Sequence, residues 1–173
     1  MTIENWKDVG AAVQSFATVA SLIIGGFWVY RRFSRQEESY PKIEFTADLN
    51  FVGRQAGWWI VEVIAVVENK GKVPHHMREF KFDLNALYSE DPVELSKKWG
   101  NQVDFIRPVA EGSFLPEKYE NFFIDPGVRA KYSYVTRVPA EARFLILHCW
   151  FRYSDRKKAG HAAEKSVRVP CEA

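Results

Sequence analysis

Residues 42 to 51, KIEFTADLNF, alternate without a break: Ile43, Phe45, Ala47, Leu49 and Phe51 are apolar, and Lys42, Glu44, Thr46, Asp48 and Asn50 are polar. A period of two predicts a strand with one buried and one wetted face. The next segment, WWIVEVIAVVEN from Trp58 to Asn69, is rich in β-branched residues and predicts a long central strand. It ends at Asn69-Lys70-Gly71-Lys72, whose Asn and Gly supply tight-turn chemistry. Beyond the Val-Pro-His-His turn at His75 and His76, Phe80, Phe82, Leu84 and Ala86 alternate with polar neighbours and predict a third strand.

Residues 89 to 116 are less regular. There DPVELSKKW fits a short helix with Asp91 as N-cap and Pro92 at the first helical position. Tyr119 to Ile124 predicts a short strand, and Asp125-Pro126-Gly127 a turn into VRAKYSYVTRV, where Ala130, Tyr132, Tyr134, Thr136 and Val138 share a face. RFLILHCWFRY, residues 143 to 153, is apolar on both faces and predicts a second central strand. DRKKAGHAAEK then reads as a polar loop, and SVRVP as a last short strand. About seven strands with turns between them predict a mainly β chain, an antiparallel sandwich with Greek-key character over residues 42 to 171. In strand count and spacing this resembles immunoglobulin-like and fibronectin-like sandwiches. The Cys…Trp…Cys spacing of true immunoglobulin domains is missing, so the likeness is one of architecture and carries no function.

The N-terminal part follows a different pattern. Val9 to Tyr30 carries no charge, and as a helix it would rise about 33 Å, enough for a hydrocarbon core of about 30 Å. The reading is a transmembrane helix over 9–30, preceded by an extracytoplasmic stretch over 1–8 and followed by a basic linker over 31–41. Trp6, Trp28 and Tyr30 would settle at the two interfaces, and Arg31, Arg32 and Arg35 would hold the C-terminal domain on the cytoplasmic side of the inner membrane. A signal peptide or a core helix is the alternative; the leader MTIENWKD lacks a basic n-region. Within the segment Ala17, Ser21 and Gly25 recur every fourth residue, with Gln14 one turn earlier, a stripe along which a second helix could approach.

Composition adds limits rather than chemistry. With 24 Lys and Arg against 22 Asp and Glu, the net charge of +2 is too small for the field of a dedicated nucleic-acid binder. The two cysteines, Cys149 and Cys171, stand in no zinc-like or redox spacing. No phosphate-binding glycine loop, nucleophile elbow, HExxH helix or EF-hand loop occurs, so neither a cofactor nor a catalytic set is expected. His75 and His76 point apart in an extended chain and read as surface histidines. His148 and Cys149 fall on opposite faces of one strand, so they form no nucleophile pair and the cysteine reads as structural. The most basic cluster, Arg152, Arg156, Lys157 and Lys158, could touch anions through the last three, although a solvated loop is the preferred explanation.

The surplus apolar residues are more informative. The two central strands carry Trp58, Ile60 and Ile64, and Phe144, Ile146 and Trp150, on faces that a sandwich would leave in water. Either the 89–116 insert covers them or they form an interface. The functional expectation is therefore a non-enzymatic, membrane-tethered binding or assembly module, with the bilayer, a protein partner or copies of itself as partners. The alternative is a small effector whose helices cluster and perturb the membrane, because the layout resembles that of some small membrane effectors in bacterial anti-phage systems.

Overall fold

The computed structural model describes residues 3–34, 41–97, 100–119, 121–154 and 159–170, with the side chains of the N-terminal helix described from 14 to 32. The chain divides into two units, Met1–Tyr40 and Pro41–Ala173.

In the first unit α1 spans Ile3–Ser34. Among the described residues no helix is long and apolar enough to cross a membrane. Gln14, Ser15, Thr18, Ser21, Gly25 and Gly26 interrupt the apolar residues, and Arg31 and Arg32 close the last turn. This corrects the expected transmembrane span over 9–30, and with it the single-pass inner-membrane location. The hydroxyls of Thr18 and Ser21 donate to the carbonyls of Gln14 and Ala17, at 2.9 and 2.8 Å, so the helix satisfies these polar groups itself.

The second unit is mainly β, with ten strands among the described residues: β1 (Ile43–Gln55), β2 (Trp58–Asn69), β3 (His75–Leu87), β4 (Leu95–Ser96), β5 (Gln102–Val103), β6 (Arg107–Ser113), β7 (Asn121–Ile124), β8 (Arg129–Pro139), β9 (Phe144–Tyr153) and β10 (Gly160–Arg168). Every pairing is antiparallel. One sheet has the order β1-β2-β8; the other runs β10-β9-β3-β6, with β7 also on β3. The chain changes sheet after β2 and again on entering and leaving β8, which sets the two sheets face to face.

The alternation seen in the sequence does the packing. Leu49, Val61, Val63 and Val138 from the three-stranded sheet meet Phe82, Leu84, Leu145 and Leu147 from the other in one core cluster. A second cluster joins Ile43, Ala65 and Val67 to Met77, Phe80, Ile124, Phe151 and Tyr153. Phe80 is its hub, with Phe114, Phe122 and Tyr132 ring centroids 4.7, 5.1 and 5.0 Å away. Edge-on and offset rings of this kind add to simple area burial.

Four local expectations are overturned. Asp91 caps no helix: its carboxylate accepts from the Tyr88 N–H at 2.8 Å and pairs with Arg107, and the segment that follows enters the β4–β5 hairpin. His75 and His76 begin β3 rather than a turn, because β7 supplies their ladder partners, and His75 is buried rather than on the surface. Gly160 to Lys165 is strand rather than loop, since His161, Ala163 and Lys165 pair with Phe151, Cys149 and Leu147. The strand count rises accordingly from about seven.

Asn69 does more than end a strand. Its side chain, fully buried, donates to the carbonyls of Val73 (2.8 Å) and Ile124 (3.1 Å) and accepts from the Gly71 N–H (2.9 Å). Its backbone N–H donates to the Val128 carbonyl and its carbonyl accepts from the Gly127 N–H. One amide thus ties the end of β2 to the β7–β8 turn. Asn69→Ala strands these buried groups and is expected to lower unfolding stability by about 2–4 kcal/mol in urea titration. Asn69→Asp is expected to give no rescue, since a carboxylate cannot donate to the Val73 and Ile124 carbonyls.

Candidate functional site

The outer faces of the two sheets differ. On the three-stranded sheet Trp58, Ile60, Ile64 and Val66 of β2 point away from the core, flanked on β8 by Arg129, Lys131, Val135 and Arg137. The Arg137 guanidinium lies 4.3 Å from the Trp58 ring centroid, and Lys131 and Arg129 reach Glu62 and Glu68 at 3.7 and 3.8 Å. Ile64 is buried among these side chains, Trp58 and Ile60 are half-buried, and Val135 is 64% exposed. Among the described residues of the second unit no secondary element packs over this face.

The other sheet carries its own cover. The hairpin β4–β5, in the insert between β3 and β6, folds back over β9 and β10. Val103 and Phe105 from the insert line a cleft of about 150 Å³ with Ile146 and His148 beneath them. Gln102 donates to Glu164 at 3.4 Å. The base of the insert is clamped by Arg107, which pairs with Asp91, lies 3.6 Å from Glu90 and sits over the Tyr88 ring at 4.7 Å. Burial raises the Tyr88 phenol above its ordinary value, against the lowering effect of Arg107.

Across the floor of this cleft, strand register brings three polar residues into one row. Asp83 on β3 faces His148 on β9, and His148 faces Glu164 on β10. His148 Nδ1 lies 3.1 Å from Asp83 Oδ1, and Asn85 donates to the other Asp83 oxygen at 3.3 Å. The His148 ring stacks on Trp150 at 5.0 Å, fixing its plane. A carboxylate-oriented imidazole can accept a proton, but the serine lining this cleft, Ser96, makes no hydrogen bond to it. Among the described residues no group of three or more His, Cys, Asp or Glu side chains could hold a metal ion.

The sequence-predicted residues are distributed as follows. Ile146 is covered by the insert, Trp150 is half-buried against His148, and Phe144 stays exposed beyond the hairpin. Trp58, Ile60 and Ile64 form one continuous strip on the opposite side of the sandwich, so the two triplets do not meet. On α1, Ala17, Ser21 and Gly25 lie on exposed helix, with nothing within 4 Å of a β-carbon built at Gly25. Of the expected interface anchors, Arg31 and Arg32 lie over Phe27 and Trp28, at 6.0 and 5.2 Å, and Tyr30 is exposed. The Trp6 side chain, Arg35 and the cluster Arg156, Lys157 and Lys158 lie outside the described residues. Cys149 is buried in the core, its thiol pushed up to about 12 by burial and by Asp83, and it faces away from His148 as the strand period requires.

The Asp83–His148–Glu164 row escaped the sequence because it is a product of register. Alternation puts Asp83 and His148 on outward faces, but nothing local says which strands adjoin. His161 escaped for a different reason: its segment read as loop. Its ring packs on Phe151 and Tyr153 at 5.4 and 5.7 Å, and burial, followed by the charge of His75, lowers its proton affinity below the ordinary value. The unfolded chain therefore binds a proton at His161 near pH 6.5 while the folded chain still resists it, so stability falls as pH drops through that region. His161→Phe is expected to flatten the dependence of urea unfolding stability on pH between about 7 and 5. An unchanged slope would remove His161 from the account.

Neither the family models nor the curated proteins offer a match to this chain. Among solved structures, the chain is similar to a structural-genomics target at 11% identity, covering 76% of this chain and 88% of that one, with a TM-score of 0.46. The ApaA protein of Bordetella pertussis is similar at 11% identity, covering 75% and 95%, with a TM-score of 0.49. β-Glucosidase 3B of Thermotoga neapolitana, in complex with glucose, is similar at 14% identity over 76% of this chain but 17% of its own length, with a TM-score of 0.32.

Proposed function

We propose that this chain is a non-enzymatic binding and assembly module, whose β-sandwich presents the outer face of its three-stranded sheet to a protein partner or to a second copy of itself. The observation that carries this reading is an asymmetry. The second unit builds a clamped hairpin over Ile146, while the strip of Trp58, Ile60 and Val66, with Val135 beside it, keeps no cover from the described residues of that unit. An apolar strip rimmed by charged groups such as Glu62, Lys131 and Arg137 has the layout of an association surface.

A photo-crosslinking residue at Ile60 of the full chain, expressed in its native host, is expected to give one adduct of discrete mass, absent when the residue stands at Lys118. Trp58→Lys should abolish it. Equal labelling from both positions, or no adduct, would remove the sandwich face from this role.

The helix serves the assembly half of the proposal. Phe16, Leu22, Ile23, Ile24 and Phe27 are exposed on α1, and burying such side chains against a second helix is worth about 1.5–3 kcal/mol each when complete. Close approach needs the small residues Ala17, Ser21 and Gly25. Replacing the three together by Leu is expected to reduce chemically cross-linked multimers of the full chain several-fold. An unchanged ladder would separate the helix from assembly and leave the sandwich face standing alone.

A further inference from the structure

The sheet edges of the sandwich are protected unequally. β1 carries a bulge between Phe51 and Gly53, and its edge runs beside β10, where Lys165 reaches Asp48 at 3.7 Å. β6 has seven residues, includes Pro108, and meets β3 with a register shift at Leu84. β7 has four residues. Short edges, prolines and bulges are the usual devices that stop a sheet from taking another strand. β8 has none of them. It is eleven residues long, pairs with β2 from Trp58↔Pro139 to Glu68↔Arg129 without a shift, and meets its only proline at the last position. No strand is hydrogen-bonded to its other edge among the described residues, although β6 of the facing sheet runs beside it.

The chemistry of that edge is one-sided. Its outward side chains are Arg129, Lys131, Ser133, Val135 and Arg137. The pairs of Arg129 and Lys131 with β2 are loose, at 3.8 and 3.7 Å, with the two basic side chains 70% and 58% exposed, so their charges remain available to an incoming strand. We propose that β8 is a docking edge for an extended acidic segment of a partner protein, which adds as a fourth strand to the three-stranded sheet. The inference rests on the reading of the sandwich as a binding module and names the chemistry of its partner. Backbone groups of β8 supply the ladder, carboxylates on alternate residues of the partner meet Lys131 and Arg137, and an apolar side chain covers Val135.

A second copy is disfavoured as this occupant in the two most central registers by the same charges. Antiparallel pairing of β8 with itself about Ser133 sets Arg129 opposite Arg137, and pairing about Tyr134 sets Lys131 opposite Arg137. Like charges directly opposite one another are destabilising.

The test uses the full chain and three synthetic peptides of about nine residues, a typical strand length: alternating Glu and Val, alternating Lys and Val, and the acidic peptide with proline at every third position. Hydrogen–deuterium exchange is read over residues 129–139, with the β6 and β10 segments as controls. The acidic peptide is expected to slow exchange in 129–139 by about tenfold or more, and the basic and proline-containing peptides to leave it unchanged. The double variant Lys131→Glu/Arg137→Glu, checked for folding by circular dichroism, should reverse the preference between the acidic and basic peptides. Equal protection by the proline-containing peptide, protection at β6 or β10 instead, or no protection by any peptide overturns the proposal on the wild-type chain alone. A surviving Ile60 adduct beside a failed peptide experiment would remove the β8 edge and keep the binding module; loss of both would remove the module as well.

Discussion

Strand β3 has to serve three neighbouring strands and the aromatic core at once, and its sequence changes phase to do so. Met77 and Phe80 are both fully buried although they stand three residues apart, whereas Phe80, Phe82, Leu84 and Ala86 keep the spacing of two. A uniform strand would turn one of these sets to water, because a shift of one residue moves every side chain to the other face. The extra residue is absorbed at Glu79, at φ 53°, where the register between β3 and β9 slips between Arg78 and Lys81. A left-handed non-glycine residue costs about 1–2 kcal/mol. That cost is offset by the rings gathered around Phe80, each such pair contributing about 0.5–1.5 kcal/mol beyond its buried area, and outside by the Glu79–Arg152 pair at 3.1 Å.

The position of β3 also explains why the two outer faces differ. The chain leaves β3 at Leu87, on the side of the sheet where β9 and β10 lie open, and must return as β6 on the opposite side of the same strand. The intervening residues cross the face in doing so. Asp91 and Arg107, near the two ends of that crossing, are drawn together beside Tyr88, so the loop closes into a hairpin with fixed ends. No connection of comparable length leaves the three-stranded sheet: β1 and β2 are joined by Ala56 and Gly57 alone, and β8 passes to β9 through a short turn. Within the second unit, its outer face is left to its own side chains.

The strands that the sequence made legible are those whose alternation is decided within the strand: β1, β2, the second half of β3, β8 and β9. Local signals failed where a partner decides the structure. His161, Ala163 and Lys165 alternate too weakly to announce β10, and become a strand because Phe151, Cys149 and Leu147 offer a ladder. Asp91-Pro92 carries a valid helix-start signature that lost to Arg107, sixteen residues away, which takes the carboxylate a cap would have used. Asn69 could be read as a turn former, not as the buried amide that joins two loops, since Ile124 lies fifty-five residues on. The long uncharged run near the start suggests a membrane span only through its absence of charge. Its described portion is punctuated by amide, hydroxyl and glycine residues, and absence of charge is a weaker property than apolarity.

The same distinction between local and non-local information bears on the unprotected edge. An exposed edge of eleven residues ordinarily invites pairing with any extended chain, its own copies first, because copies are always present at equal concentration. Basic residues at 129, 131 and 137 disfavour that outcome without blocking the backbone: they leave the N–H and C=O groups unpaired and set a condition on the charge of whatever approaches. A proline or a bulge would close the edge to every comer, whereas charge closes it to like charge only. Where a chain has guarded β1 with a bulge and β6 with Pro108, guarding the β8 edge by charge alone leaves selective access as its physical consequence.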